Sequence, residues 1–214
     1  MMASKFFVVI VLGRPGSGKD TQAELLAKKF ELVHIITSRI IEKALKSRGE
    51  NIKLEGKIYN LEKERRLQKS GFLNTPEFVS ALVKSEIVAI AKRKKSIMMS
   101  GSPRTLKELK VVLPLLNKLY GKNVYIFHIK ISAKEVYIRN LKRHRKDLPE
   151  LDTKKIIKKR LQVFNRETLP VIKNLKSKKL ISEINGEQPI TKIHNDVMKV
   201  LENIWQLQSK AKKK

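Results

Sequence analysis

The sequence predicts an α/β fold built on a parallel sheet, and three observations carry that expectation. An apolar run, Phe6-Phe7-Val8-Val9-Ile10-Val11-Leu12, turns without interruption into a glycine-rich loop ending in lysine. Short, wholly apolar segments suited to strands covered on both faces then alternate with stretches of helical period. One such segment, Ile97-Met98-Met99, empties into Gly101-Ser102-Pro103-Arg104-Thr105. That puts an arginine at a strand's carboxyl end, the edge of an open α/β sheet where ligands sit.

The loop organises the chain. Gly13-Arg14-Pro15-Gly16-Ser17-Gly18-Lys19 fits the phosphate-loop pattern G-x-x-x-x-G-K, in which backbone N–H groups and the positive end of the following helix face an anion. Lys19 adds a mobile charge able to follow a transferring phosphoryl group, so a triphosphate is the natural ligand. The general pattern continues with a hydroxyl residue. Here Asp20 holds that position and the hydroxyl arrives one residue late, at Thr21.

The remaining elements follow from periodicity and punctuation. Ala23, Leu25, Leu26, Ala27 and Phe30 give the helix after the loop an apolar side, and Val33-His34-Ile35-Ile36 reads as a strand. Thr37 is expected to cap a helix with the stripe Ile40, Ile41, Ala44 and Leu45; a polar break from Ser47 to Asn51 precedes a charged helix through Lys69, which Gly71 ends. Pro76 suits a first helical turn, and Val79, Leu82, Val83, Ile87 and Ile90 line one face behind it. Leu106, Leu109, Val112 and Leu116 mark the helix that leads to the strand Val124–Ile129. Arg139 and Arg143, four residues apart, share one face of the next helix, with Arg145 just beyond. A long helix from about Asp152 carries Arg160 and is bent by Pro170 near Thr168. Leu180–Ile184 makes a final strand, Asn185-Gly186 a turn, and the last helix sets Ile190, Ile193, Val197, Val200, Leu201 and Ile204 at 3.6 spacing, with Trp205 in the core.

Composition narrows the function classes. The 214 residues, 41% apolar and 32% charged, suit one globular domain. No apolar run approaches the roughly 20 residues that a membrane helix needs, so a cytoplasmic protein without a membrane partner is expected. The absence of cysteine excludes disulfides and thiolate zinc sites. A net charge of +28 suggests polyanion attraction. Yet the lysines are spread along the chain and aromatics are 6%, so a lysine-rich solvated surface is favoured over a nucleic-acid face. His34, His128, His144 and His194 show no ligand spacing and read as structural.

From about Phe6 to Leu201 the chain resembles the adenylate kinase family of nucleoside monophosphate kinases. Gly13 to Gln22 looks like that family's G-x-P-G-x-G-K-G-T-Q loop, Gly101–Thr105 like its D-G-F-P-R-T stretch, and Asn185-Gly186-Glu187-Gln188-Pro189 like its late D-G-x-x-P turn. The resemblance implies a five-stranded parallel sheet flanked by helices, within a single P-loop kinase domain, residues 1–214. Its core would be 1–36, 74–143 and 152–208, with a helical flap over the monophosphate at 37–73, a short zinc-free lid at 144–151 and a basic tail at 209–214. It also implies ATP and Mg²⁺ as cofactors and transfer of the γ-phosphoryl group to a nucleoside monophosphate, AMP favoured, by a monomer. The residues that match are Lys19, Arg104, Arg139, Arg143 and Arg160 for catalysis. Gly13, Pro15, Gly16, Ser17, Gly18, Lys19, Asp20 and Thr21 would hold ATP together with Arg139 and Gln188. Thr37, Arg39, Lys43, Arg104, Glu108 and Arg145 fall to the monophosphate.

Four positions depart from the family's pattern. Ser100 replaces an acid that organises the Mg²⁺ waters, Glu42 a phosphate-clamping arginine, Glu108 an adenine-reading glutamine and Asp20 a glycine. Asp20 and Ser100 together suggest a relocated metal site, since the residue after the loop lysine faces the metal in generic phosphate loops. Alternatively, Asp20 simply favours the helix start through the dipole. Two further functions stay open at this level: a noncatalytic or acceptor-altered ATP-binding protein, and a nucleic-acid-associated ATPase.

Overall fold

The computed structural model describes residues 6–47, 49–142 and 153–211. The segment 143–152 lies outside them, and with it Arg143, Arg145, His144 and the expected lid. Five strands form one parallel sheet: β1 (Val8–Gly13), β2 (Val33–Ile36), β5 (Ile97–Ser100), β6 (Val124–Lys130) and β7 (Ile181–Asn185), in the order β2-β5-β1-β6-β7. The first strand to form in sequence is therefore central. Its neighbours pair in register, Val11 with Ser100 on one side and with Phe127 on the other.

Because side chains alternate along a strand, β1 feeds two cores. Val8, Ile10 and Leu12 pack with Met99 and Ile126 under helices α4 (Pro76–Lys92), α5 (Leu106–Tyr120) and α8 (Leu169–Ser177). Val9 and Val11 pack with Met98, Phe127 and Ile129 under α1 (Lys19–Lys29) and α9 (Ile190–Ala211). Trp205 is half-buried there and meets Phe7, Phe30 and Tyr125 edge-to-face, at centroid distances of 5.5 to 6.2 Å. The α/β alternation that the periodicity predicts forms, as the five-stranded parallel sheet flanked by helices that the resemblance implies.

Two local expectations change. The segment expected as a helical flap contains, between α2 (Thr37–Leu45) and α3 (Leu61–Lys69), an antiparallel hairpin of β3 (Asn51–Leu54) and β4 (Lys57–Asn60). Its two-residue turn is Glu55-Gly56, both at positive φ (50° and 80°), the conformation that matches strand twist. And Thr37 does not cap α2: no side-chain cap bond exists there, and its hydroxyl donates instead to the Ser100 carbonyl at 3.0 Å, tying α2 to β5.

Glu64 of α3 anchors the far end of this segment. Its buried carboxylate accepts from Asn74 Nδ2 and the Thr75 N–H, each at 2.9 Å, and from the Thr75 hydroxyl, at the start of α4. Downstream, α7 (Lys154–Val163) begins at Thr153, whose hydroxyl caps it, and loosens into a π-helical stretch at Phe164–Thr168 before Pro170. Here the proline bend expected from the sequence is absorbed by widened helix turns.

The turn after β7 leaves no space for a side chain. A Cβ on Gly186 would lie 2.6 Å from Ile129 Cγ2 and 2.8 Å from Ile131 Cγ2. Gly186→Ala is accordingly expected to lower stability by about 1–3 kcal/mol, read as a shifted urea midpoint with unchanged slope.

Candidate active site

β1 delivers the chain to a loop at the carboxyl edge of the sheet, where α1 starts. Gly18 caps α1 at φ +84° with no side-chain bond, leaving the helix's first N–H groups without an internal partner. The loop is closely built: a Cβ on Gly13 would collide with Ser17 Oγ and lie 2.7 Å from the Ile129 carbonyl oxygen, and one on Gly16 would lie 2.5 Å from Asn140 Nδ2. Ser17 Oγ is fully buried and lacks a hydrogen-bond partner in the structure.

A cleft of about 380 Å³ opens over this loop. Gly13, Pro15, Gly16, Lys19 and Asp20 form one wall, Thr37, Ser38, Arg39 and Glu42 of the α2 end another, and Gly101, Arg104 and Glu108 lie between, with Arg160 reaching in from α7. Lys19 Nζ lies 2.9 Å from Asp20 Oδ2. Burial pulls the Lys19 ammonium below its usual value; Asp20 resists, and the charges of Arg104 and Arg160 add to the fall. Burial alone would raise the Asp20 carboxyl, but the charge and hydrogen bond of Lys19, with Arg104 and a hydrogen bond from Ser100, hold it well below the usual carboxylate range. The cleft lining sets four cations, Lys19, Arg39, Arg104 and Arg160, against four carboxylates, Asp20, Glu24, Glu42 and Glu108. The cations that act on one another are Lys19, Arg104 and Arg160, with Asp20 set among them.

Arg104 is held across the strand end, its Nε donating to the Gly101 carbonyl at 2.6 Å. Its backbone N–H donates to Glu108 Oε2 at 3.0 Å, and the Ser102 hydroxyl donates to the same oxygen at 2.8 Å. Glu108 is thus drawn onto its own loop, where Thr105 caps α5 by accepting from the Glu108 N–H at 3.1 Å. Burial raises the Glu108 carboxyl, against those bonds.

Other expected residues fall elsewhere. Thr21 is exposed on α1 and Lys43 is exposed on α2, neither lining the cleft. Arg139, on α6 (Ala133–Lys142), also lies off the cleft wall: its Nε donates to Glu135 at 2.6 Å and Nη2 to the Gly186 carbonyl at 2.8 Å, joining α6 to the turn after β7. Gln188 of that turn donates to Asp196 on α9 at 2.5 Å. Ser100 is buried beneath the cleft, its hydroxyl 3.2 Å from His34 Nε2.

Two contributors escape a reading of the sequence. His34, taken as structural, reaches Ser100 and through it the neighbourhood of Asp20. Asn140, fully buried on α6, donates to the Pro15 carbonyl at 3.1 Å and to Val136 O at 2.7 Å, so it binds α6 to the phosphate loop. Its signal was a polar residue four positions after Val136 on the buried face. Among the described residues no group of three or more His, Cys, Asp or Glu side chains is poised to hold a metal, and no helix is long and apolar enough to cross a membrane.

A parallel sheet with the first strand central, a glycine-rich loop at its carboxyl edge and a lysine and three arginines lining one cleft define a P-loop phosphotransferase. The model of the family described as adenylate kinase matches residues 11–180, and this chain belongs to that family. Similar proteins include the adenylate kinase of Leptospira biflexa, 28% identical over 191 residues that cover 89% of this chain and 97% of that one. Adenylate kinase isoenzyme 5 of Homo sapiens is 30% identical over 84% of this chain and 30% of its own length, and isoenzyme 1 of Cyprinus carpio is 25% identical over 92% and 95%. By family the protein is a nucleoside monophosphate kinase.

Proposed function

We propose that the protein transfers the γ-phosphoryl group of ATP, bound with Mg²⁺, to AMP. The observation that carries this reading is the shared cleft of Lys19, Arg104 and Arg160 above a glycine-rich loop packed too closely at Gly13 and Gly16 to admit a side chain. In phosphoryl transfer the protein's work is positioning and charge neutralisation. Lys19 follows the moving charge, Arg104 spans the gap between donor and acceptor, and Arg160 closes the cationic ring from α7. Mg²⁺ would supply a further neutralising charge between the phosphates, and the oxygen donors nearby, the Asp20 carboxylate and the Ser100 hydroxyl, suit so hard a cation. Residues 37–73 act as the flap over the acceptor, closing to exclude water. The working state is a monomer in the cytoplasm.

Two cleft residues bear on the acceptor. Glu42 faces the cleft from α2 beside Arg39, so an acceptor phosphate there relies on Arg39 and Arg104. Glu108, drawn onto its own loop, offers carboxylate oxygens where an amide would offer both a donor and an acceptor. AMP is the first expectation and another base a specific alternative. Purified protein incubated with Mg²⁺–ATP and each common ribo- and deoxyribonucleoside monophosphate is expected to form diphosphate, fastest with AMP. Formation with none, while ATP still binds, would replace this reading with a noncatalytic ATP-binding protein.

A further inference from the structure

Asp20 stands where it should oppose the proposed substrate. Phosphates drawn to the loop must take Lys19 Nζ, and that atom is 2.9 Å from Asp20 Oδ2. The same carboxylate answers the charge of Arg104 and lies in the neighbourhood of Ser100, whose hydroxyl is 3.2 Å from His34 Nε2. Asp20 does for Lys19 what phosphate oxygens would do. Metal-free ATP would have to displace one anion from the ammonium and then sit beside it, a like-charge contact in a part-buried site.

A divalent cation reverses the sign of that contact. Mg²⁺ binds through one or two carboxylates plus substrate phosphates, keeping several waters. The residue after the loop lysine is the position that serves the metal in generic phosphate loops, and here it carries the charge that Ser100, at the end of β5, lacks. The other cleft carboxylates are differently engaged: Glu108 is held by Ser102 and Arg104, while Glu24 and Glu42 line the cleft from α1 and α2 and, among the described residues, form no ion pair with Lys19, whose partner is Asp20.

We propose that Asp20 makes nucleotide binding conditional on a divalent cation: it rejects metal-free ATP by holding Lys19, and with the metal present it turns from rival into ligand and frees Lys19 for the phosphates. Ser100 and His34 position the carboxylate and do not themselves take part in transfer. This rests on the kinase reading of the site. Since coupling is reciprocal, the metal tightens ATP binding by the factor by which ATP tightens metal binding.

Calorimetric titration of the full chain with ATP alone, in chelator and then in excess Mg²⁺, measures that factor without turnover. For the natural protein Mg²⁺ is expected to tighten ATP binding by about 100-fold, the upper part of the usual range of coupling. In Asp20→Gly and Asp20→Asn the factor should fall below about 5-fold, chiefly because metal-free ATP binds better. The asparagine variant keeps the side-chain volume, and circular dichroism of both checks that they fold. A factor in both variants within twofold of the natural protein's, or metal-free ATP binding the natural protein as tightly as Mg²⁺–ATP, overturns the role of Asp20 and leaves the kinase reading intact. Absence of ATP binding in either condition defeats the kinase reading itself.

Discussion

Lys19→Met is expected to lower turnover by about 10³-fold or more, the scale of loss when a charge on the transferring phosphoryl group is removed. Methionine preserves most of the stem, so the change isolates the ammonium. Two consequences add. The phosphates lose the cation that burial and the neighbouring arginines make costly to keep charged, and Asp20 loses the partner that keeps it ionised. An unpaired part-buried carboxylate beside the loop then repels ATP directly. The double variant Lys19→Met, Asp20→Gly is therefore expected to bind ATP more tightly than Lys19→Met alone, a non-additivity that a binding cycle reads without depending on rate. The sign with pH also follows. Asp20 titrates in the folded protein below its ordinary value of 3.8, so the stability it contributes is complete above that value and is lost only as pH falls through the lower folded one. Assays near neutrality compare the variants with the pair fully formed.

How much of this was legible in the sequence depends on whether the signal was local. β1 and its loop were legible because seven apolar residues and three glycines lie in one unbroken stretch. The same held for Met98 and Met99, whose wholly apolar surroundings implied a strand covered on both faces, and burial is complete at both. The hairpin at 51–60 was missed although its turn was written in the chain: Glu55-Gly56 separates two stretches of four residues. Lysines on both strands hid the alternation of Ile52 and Leu54. Thr37 illustrates the other limit. A threonine before an amphipathic stretch reads as a cap, but the sheet order sets β5 beside β2, and the Ser100 carbonyl, 63 residues away in sequence, claims the hydroxyl. Glu108 and His34 are cases of the same kind. Whether a carboxylate faces a cleft or folds back on its own loop, and which hydroxyl an imidazole finds across a strand pair, are decided by packing that no local pattern encodes.

Arg104 offers the second large effect. Arg104→Ala is expected to reduce kcat/KM by about 10²–10³-fold, the loss typical of one preorganised donor at a developing charge. The structure explains why the arginine is preorganised. Gly101, at φ +91°, brings the strand end so near that a Cβ there would lie 3.0 Å from Arg104 Nη2, and the Gly101 carbonyl holds Nε at 2.6 Å. With Nε fixed, the terminal nitrogens remain for oxygens in the cleft, the geometry in which a planar fork exceeds a point charge. Arg104→Lys should therefore recover less than a tenth of the lost efficiency although the charge is restored. Steady-state kinetics in both substrates separates the cases: a ground-state clamp raises KM for the monophosphate, whereas a contact made only in transfer lowers kcat. Stability should hardly change, within about 0.5 kcal/mol, because the bond that matters to the fold at this position is the backbone N–H to Glu108 Oε2, and every side chain but proline leaves that donor in place. A large fall in melting temperature would instead mean that the guanidinium supports the loop, and the kinetic loss would then no longer report on catalysis.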